Sequence, residues 1–224
     1  MRSRRELACT MIGGMEIELT RRPLKTRQRG WAQWLATALS GAGVSPNAVS
    51  ALSLVWAAGA GVCLVLAGRS GGSARIALLV GAAAGVQARL LSNLLDGLIA
   101  VEGGRRTPTG ELFNEVPDRF ADVLLLAAAG YAAGAPTVGW LAALLAVLTA
   151  YVRVLGGSLG LRQSFAGPMA KPHRMAVLTA ACVLACFVGW QVLRAAVWVI
   201  LLGSAVTFVR RLSAIARDLR QLRL

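Results

Sequence analysis

Six stretches of this chain are almost wholly apolar, and polar or Gly/Pro-rich breaks separate them: residues 44–66, 74–100, 116–133, 138–159, 175–193 and 195–209. A helix needs roughly 20 predominantly apolar residues to cross about 30 Å of hydrocarbon, and most of these stretches approach or exceed that length. The last is shorter and must borrow polar flanking residues. The pattern predicts an all-α, polytopic membrane protein with six transmembrane helices. Ahead of them, Trp31, Trp34, Leu35, Ala38 and Leu39 recur at three- and four-residue spacing behind the basic head of residues 21–29. Such a segment forms an amphipathic helix lying in the interface, tryptophans at headgroup depth and arginines near anionic lipid. Gly41-Ala42-Gly43 breaks it, and Ser45-Pro46 opens the first span with a cap and a first-turn proline. The expected division is a basic cytoplasmic N-terminus over 1–43 and a six-helix domain over 44–224.

Composition agrees, with 56% hydrophobic and 15% charged residues. A formal charge of +14 raises nucleic acid as a partner, so the placement of the basic residues decides. Eighteen of the 24 fall before the first span, after the second and fourth, and after the last. Only Arg69, Arg75 and Arg194 occupy the opposite loops, while Arg89, Arg119 and Arg153 lie inside spans. The positive-inside rule then puts both termini in the cytoplasm, in an inner or cell membrane. No nucleic acid is expected, because aromatic residues do not interleave with the basic clusters. Cys9, Cys63, Cys182 and Cys186 lack metal-ligand spacing and read as small core residues. Glu16 and Glu18 interrupt what would be the apolar core of a signal peptide. Glycine and alanine dominate the spans, where small residues let helices approach closely.

Ionisable residues inside spans are costly, and here they cluster. Arg89, Asn93, Asp96, Gly97 and Ala100 stack along one face of the second span. Glu111, Asn114, Asp118 and Asp122, at steps of three, four and four, share a face of the third. One reading is an ion-pair network with Arg89, Arg105 and Arg119. The other is a hard-cation site, since carboxylate and amide oxygens without His or Cys suit Mg²⁺, Mn²⁺ or Ca²⁺. Glycines at the same level let a phosphate backbone approach. A cation transporter would hold its carboxylates near the bilayer midplane, whereas these lie close to span ends beside Gly103-Gly104-Arg105-Arg106. The residues by themselves reach metal-dependent phosphate chemistry at a membrane surface.

From Asn93 to Asp118 the sequence NLLDGLIAVEGGRRTPTGELFNEVPD resembles, without a gap, the signature of the CDP-alcohol phosphatidyltransferase family. Asp96, Gly97, Ala100, Gly110 and Asp118 match it in type and spacing. The run from Asp118 to Asp122, Ser45-Pro46-Asn47 and the basic loop after the fourth span are similar too. Three positions depart: Asn93 and Asn114 stand where the family has aspartates, and Val101 where it has arginine. Asparagine keeps an oxygen and removes a charge. Glu111 and Glu115 are candidates to restore it, and Arg105 or Arg106 to replace the arginine.

The resemblance implies transfer of a phosphatidyl or related phospho-alcohol group from a CDP-linked lipid donor to an alcohol or polyol-phosphate acceptor, with release of CMP, by a homodimer. It implies Asp118 as the general base, and Asn93, Asp96, Asn114, Asp118 and Asp122 as ligands of Mg²⁺ or Mn²⁺, in one or two ions. It implies Asn47, Gly97, Ala100 and Gly110 as contacts for CDP. Arg153, Lys171 and Arg174 are the expected acceptor cations, the last two on the loop after the fourth span, with His173 a loop residue outside the chemistry. Two alternatives use the same fold: a soluble CDP-alcohol donating to a lipid hydroxyl, or a catalytically silent member that binds lipid or a partner.

Overall fold

The computed structural model describes residues 11–12, 15–16, 30–102, 109–161 and 163–221, without the side chains of the first two pairs or of Glu102 and Glu111. Residues 21–29, Arg105, Arg106 and the side chain of Glu111, which carried expectations above, therefore lie outside the described structure. Near the N-terminus, β1 (Met11–Ile12) and β2 (Met15–Glu16) form a short antiparallel ladder. Seven helices follow: α1 (Gly30–Gly41), α2 (Pro46–Arg69), α3 (Gly72–Glu102), α4 (Gly110–Ala132), α5 (Pro136–Ser158), α6 (Lys171–Val188) and α7 (Gln191–Gln221).

The start of α2 is as the sequence reads: the Ser45 side chain accepts from the Ala48 amide at 3.2 Å and Pro46 fills the first turn. Two other boundaries differ. Gly189, at φ +107°, ends α6, and α7 begins at Gln191. Leu193, expected in the fifth apolar stretch, and Arg194, expected in a loop, are therefore in α7. The apolar run across this break hides it, because a single glycine in the left-handed region suffices to stop a helix. Likewise α6 starts at Lys171, with Pro172 in its first turn, so Lys171, His173 and Arg174 are helical rather than loop residues. His173 is exposed there.

Helices α2, α4, α5, α7, α6 and α3 contact one another in a closed circuit, each packed on the next, and α1 lies against α3. The shared core is made largely of alanine, with Leu64, Leu125, Leu126, Met175, Leu178 and Ile200 filling the wider gaps. Small residues are needed where axes come close. A Cβ on Gly130 would stand 2.6 Å from Gly139 Cα, and one on Gly85 would meet Ala60 Cβ at 2.8 Å. Ala32 and Ala36 bury one face of α1 against Leu95, Leu98 and Ile99, while Trp34 on the other face is 72% exposed.

Among the described residues five helices, α2, α3, α5, α6 and α7, are long and apolar enough to cross a membrane. This chain is a membrane protein. The 23 residues of α4 span roughly 35 Å at 1.5 Å per residue, but Asn114, Glu115, Asp118, Arg119 and Asp122 make its first half too polar to qualify by the same measure. Its second half is apolar and buried, through Leu125, Leu126 and Ala129.

Candidate functional site

The polar faces of α3 and α4 meet near the C-terminal end of α3 and the N-terminal end of α4. Asp96 is 4% exposed. Its Oδ2 accepts from Ser50 Oγ at 2.6 Å, and its buried Oδ1 has no hydrogen-bond partner among the described residues. Ser50 was not foreseen; it lies one turn beyond Asn47, so the spacing along α2 was its only signal. Asn93, one turn before Asp96, donates from Nδ2 to Asp118 Oδ1 at 2.6 Å. The other oxygen of Asp118 is ion-paired with Lys171 at the start of α6, and Arg119 Nη2 stands 3.5 Å from it. Asn93, Asp118 and Lys171 thus form one linked patch, from α3, α4 and α6, with Asp96 and its Ser50 partner one turn further along α3.

A second cluster lies beneath it. Arg89 and Arg174 are fully buried, and Asp122 joins them: Arg89 donates to Oδ1 at 2.7 Å and Arg174 to Oδ2 at 2.8 Å. Arg89 also reaches the Asp118 carbonyl at 3.2 Å, and Arg174 the Met169 carbonyl at 3.0 Å. Buried guanidinium groups persist only when paired, and Asp122 supplies the charge that holds both. Asp122, expected as a metal ligand, and Arg174, expected as an acceptor contact, are ion-paired with each other. Of the cations in the ion-pair reading Arg89 lies in this deeper layer, where its companion is Arg174, which that reading does not include.

Arg153 on α5 donates to Glu115 Oε1 at 2.5 Å and to Gln163 Oε1 at 3.2 Å, and stacks over Phe165. Glu115 also faces Arg119 at 3.5 Å. Sequence reading placed Arg153 and Glu115 separately, one as an acceptor cation and one as a spare carboxylate. They neutralise one another. The loop from Gln163 to Ala170 is fixed from α7: Thr207 accepts from the Met169 amide at 2.9 Å, and buried Arg211 donates to the Ala166 and Thr149 carbonyls at 2.9 and 2.8 Å. Gly167, at φ +120°, presses on Thr207 where no side chain would fit. Arg211 had counted only as one of the basic residues near the C-terminus.

Asn47 is half-buried in the first turn of α2, Gly97 and Ala100 are half-buried on α3, and Gly110 opens α4. Asn114 is exposed on α4. Among the described residues no three His, Cys, Asp or Glu side chains converge as a metal cluster. The oxygen set still fits a hard divalent ion. Asp96 presents a buried carboxylate oxygen with no partner among the described residues, and unsatisfied buried carboxylate oxygens are rare without a ligand to take them.

No family model matches the chain by sequence, and neither does any curated protein. Solved structures do match by fold. Phosphatidylinositol phosphate synthase of Mycobacterium tuberculosis with CDP-DAG bound superposes with a TM-score of 0.70 at 20% identity, over 82% of this chain and 92% of that one. The same synthase in complex with manganese and citrate gives 0.70 at 20% identity over 82% and 88%, and its apo form 0.66 at 20% over 81% and 94%. Across most of its length, this chain has the fold of that synthase.

Proposed function

We propose that this chain is a CDP-alcohol phosphatidyltransferase of phospholipid biosynthesis. It moves a phosphatidyl or related phospho-alcohol group from a CDP-linked lipid to an alcohol, releasing CMP. The observation that carries the reading is Asp96: the signature residue is buried, hydrogen-bonded by Ser50 and left with one buried carboxylate oxygen that has no partner among the described residues. Its setting adds support, since the fold is that of a synthase solved with CDP-DAG and with manganese.

Asp96, Asn93, Asn114 and Asp118 are the oxygen donors for Mg²⁺ or Mn²⁺. When bound, such an ion supplies Lewis-acid stabilisation of the phosphoryl oxygens. Asn47, Gly97, Ala100 and Gly110 line the path of the CDP moiety. The acceptor hydroxyl oxygen bonds to the lipid-side phosphorus, its proton passes to the Asp118 carboxylate, and the phosphorus–oxygen bond to CMP breaks with its electron pair on CMP. A free Asp118 oxygen is needed for that transfer, so Lys171 swings away from it. The long lysine stem permits this, and the released ammonium is available to an anionic acceptor. Arg153 joins Lys171 in receiving the acceptor once Glu115 shares it. Arg174, Arg89 and Asp122 instead hold α3, α4 and α6 in register beneath the chemistry, as positioning residues.

We further infer that α4 crosses the membrane with the other five, giving six spans. In this arrangement α1 lies in the interface, both termini are cytoplasmic and the protein works as a homodimer in the cell membrane. Incubation of the purified protein with labelled CDP-diacylglycerol, Mn²⁺ and a panel of alcohols and polyol phosphates tests the activity. CMP and a new phospholipid are expected with at least one acceptor. Transfer to a lipid hydroxyl from a soluble CDP-alcohol alone would reverse the donor assignment.

A further inference from the structure

The opposite end of the bundle carries a second cleft, of about 230 Å³, where α2, α4 and α6 end and α3 and α7 begin. Arg75 and Arg194 line it together with Tyr131 and Trp190, above a floor that includes Leu79 and Ala185. Only three basic residues belong to this end by sequence, Arg69, Arg75 and Arg194, and two of them converge here.

Among the described residues neither arginine has a counter-ion. No aspartate or glutamate occurs from residue 19 to 95 or from 123 to 217, the segments that build this end. Both are nevertheless held in place. Arg75 donates from Nε to the Ser70 carbonyl at 2.8 Å, and its two terminal nitrogens have no partner among the described residues. Arg194 donates from Nε to the Ala133 carbonyl at 3.0 Å and stacks 4.6 Å over Trp190. Gly134 makes room for it: at φ +64° it turns the chain, and a Cβ there would meet the Arg194 Nη2 at 3.1 Å.

Two anchored, uncompensated guanidinium groups in a shared cleft are a receptor for an oxyanion, and phosphate matches their planar donor geometry. Half-exposed Tyr131 and Trp190 are the residues that sit at headgroup depth in a bilayer. The apolar floor offers nothing to a free ion and suits the glycerol and upper acyl carbons of a lipid. We propose that this cleft binds the phosphate of an anionic phospholipid from the leaflet opposite the catalytic end, a lipid held as a ligand and not as substrate.

Native mass spectrometry of the detergent-purified protein, titrated with phosphatidylglycerol or phosphatidylcholine, tests this. The wild type is expected to retain phosphatidylglycerol in preference, and Arg75→Gln to lower that retention by about tenfold, the scale of one lost charge-assisted contact. Arg75 touches no other helix by hydrogen bond or ion pair, so this variant leaves the fold intact, to be checked by circular dichroism. Arg194→Lys, which keeps the charge and loses the planar fork, is expected to weaken retention as well. Repeating the series in an Asp96→Asn background separates this cleft from the catalytic end, and the Arg75→Gln effect is expected to persist there. Equal retention of the two lipids, or equal retention by wild type and Arg75→Gln, would overturn the proposal. So would full displacement of the lipid by excess inorganic phosphate, which would make the ligand a free ion.

Discussion

Substitution of Asp122 by asparagine isolates what the buried ion cluster contributes. The carboxylate side chain is 1% exposed, and it bridges Arg89, at 0%, and Arg174, at 2%. Asparagine keeps the shape and removes the charge. Arg89 retains a second carboxylate, Asp118, at 3.4 Å. Arg174 has no other: its remaining partners are the Met169 carbonyl at 3.0 Å and the Thr149 hydroxyl at 3.5 Å. Its cost is therefore that of one uncompensated buried guanidinium, about 3–5 kcal/mol. Removing the cation too, in Asp122→Asn with Arg174→Met, should recover a large part of that loss, because a paired set replaced by neutral groups is far less costly than half of one. Equilibrium unfolding in mixed detergent and SDS, followed by circular dichroism, gives both values and the coupling between them. A loss under about 1 kcal/mol for Asp122→Asn, or additive effects in the double variant, would refute the claim that Asp122 holds the two arginines.

Other substitutions probe the upper layer. Asn93→Asp replaces the amide that donates to Asp118 at 2.6 Å with a facing carboxylate, so the metal-free protein should lose about 1–3 kcal/mol and its stabilisation by Mn²⁺ should grow; an Mn²⁺-dependent melting shift equal to that of wild type would contradict this. Lys171→Gln removes the ammonium that competes for Asp118, and Mn²⁺ affinity, measured by electron paramagnetic resonance, should rise severalfold while turnover with an anionic acceptor falls. Ser50→Ala strips a 2.6 Å hydrogen bond from a buried carboxylate, at a cost of about 1.5–3 kcal/mol, and should weaken metal binding through the freed Asp96 rotamer; unchanged Mn²⁺ affinity would count against Ser50 as its positioning residue.

The sequence revealed the fold wherever apolar length alone decides, and it misled where a single backbone feature overrides the pattern. Gly189 stops α6 inside a run that stays apolar to Leu193, and α7 continues through the basic segment to Gln221 long after its hydropathy has faded. Helical period placed Asn93 and Asp96 on one face and Asn114, Asp118 and Asp122 on another, and the two faces do meet. Depth along a face was not legible. Asp118 and Asp122 differ by one turn, yet one faces Lys171 and the other two buried arginines, a distinction set by which residues α6 brings opposite. Partnerships between distant segments, such as Ser50 with Asp96, Arg153 with Glu115 and Arg211 with Thr149, carry no local signal at all, since each depends on how the helices pack.

The role proposed for Asp96, with its buried and unpartnered carboxylate oxygen, is in phosphoryl transfer from a CDP-linked lipid. Its most direct test is CMP formation from labelled CDP-diacylglycerol, with Mn²⁺ and the acceptor panel, by wild type and by Asp96→Asn protein of verified fold. CMP and a matching phospholipid are expected from wild type, abolished by chelation and lowered by at least about 100-fold in Asp96→Asn. Equal CMP formation by the two proteins, or none from wild type with any acceptor, would contradict it.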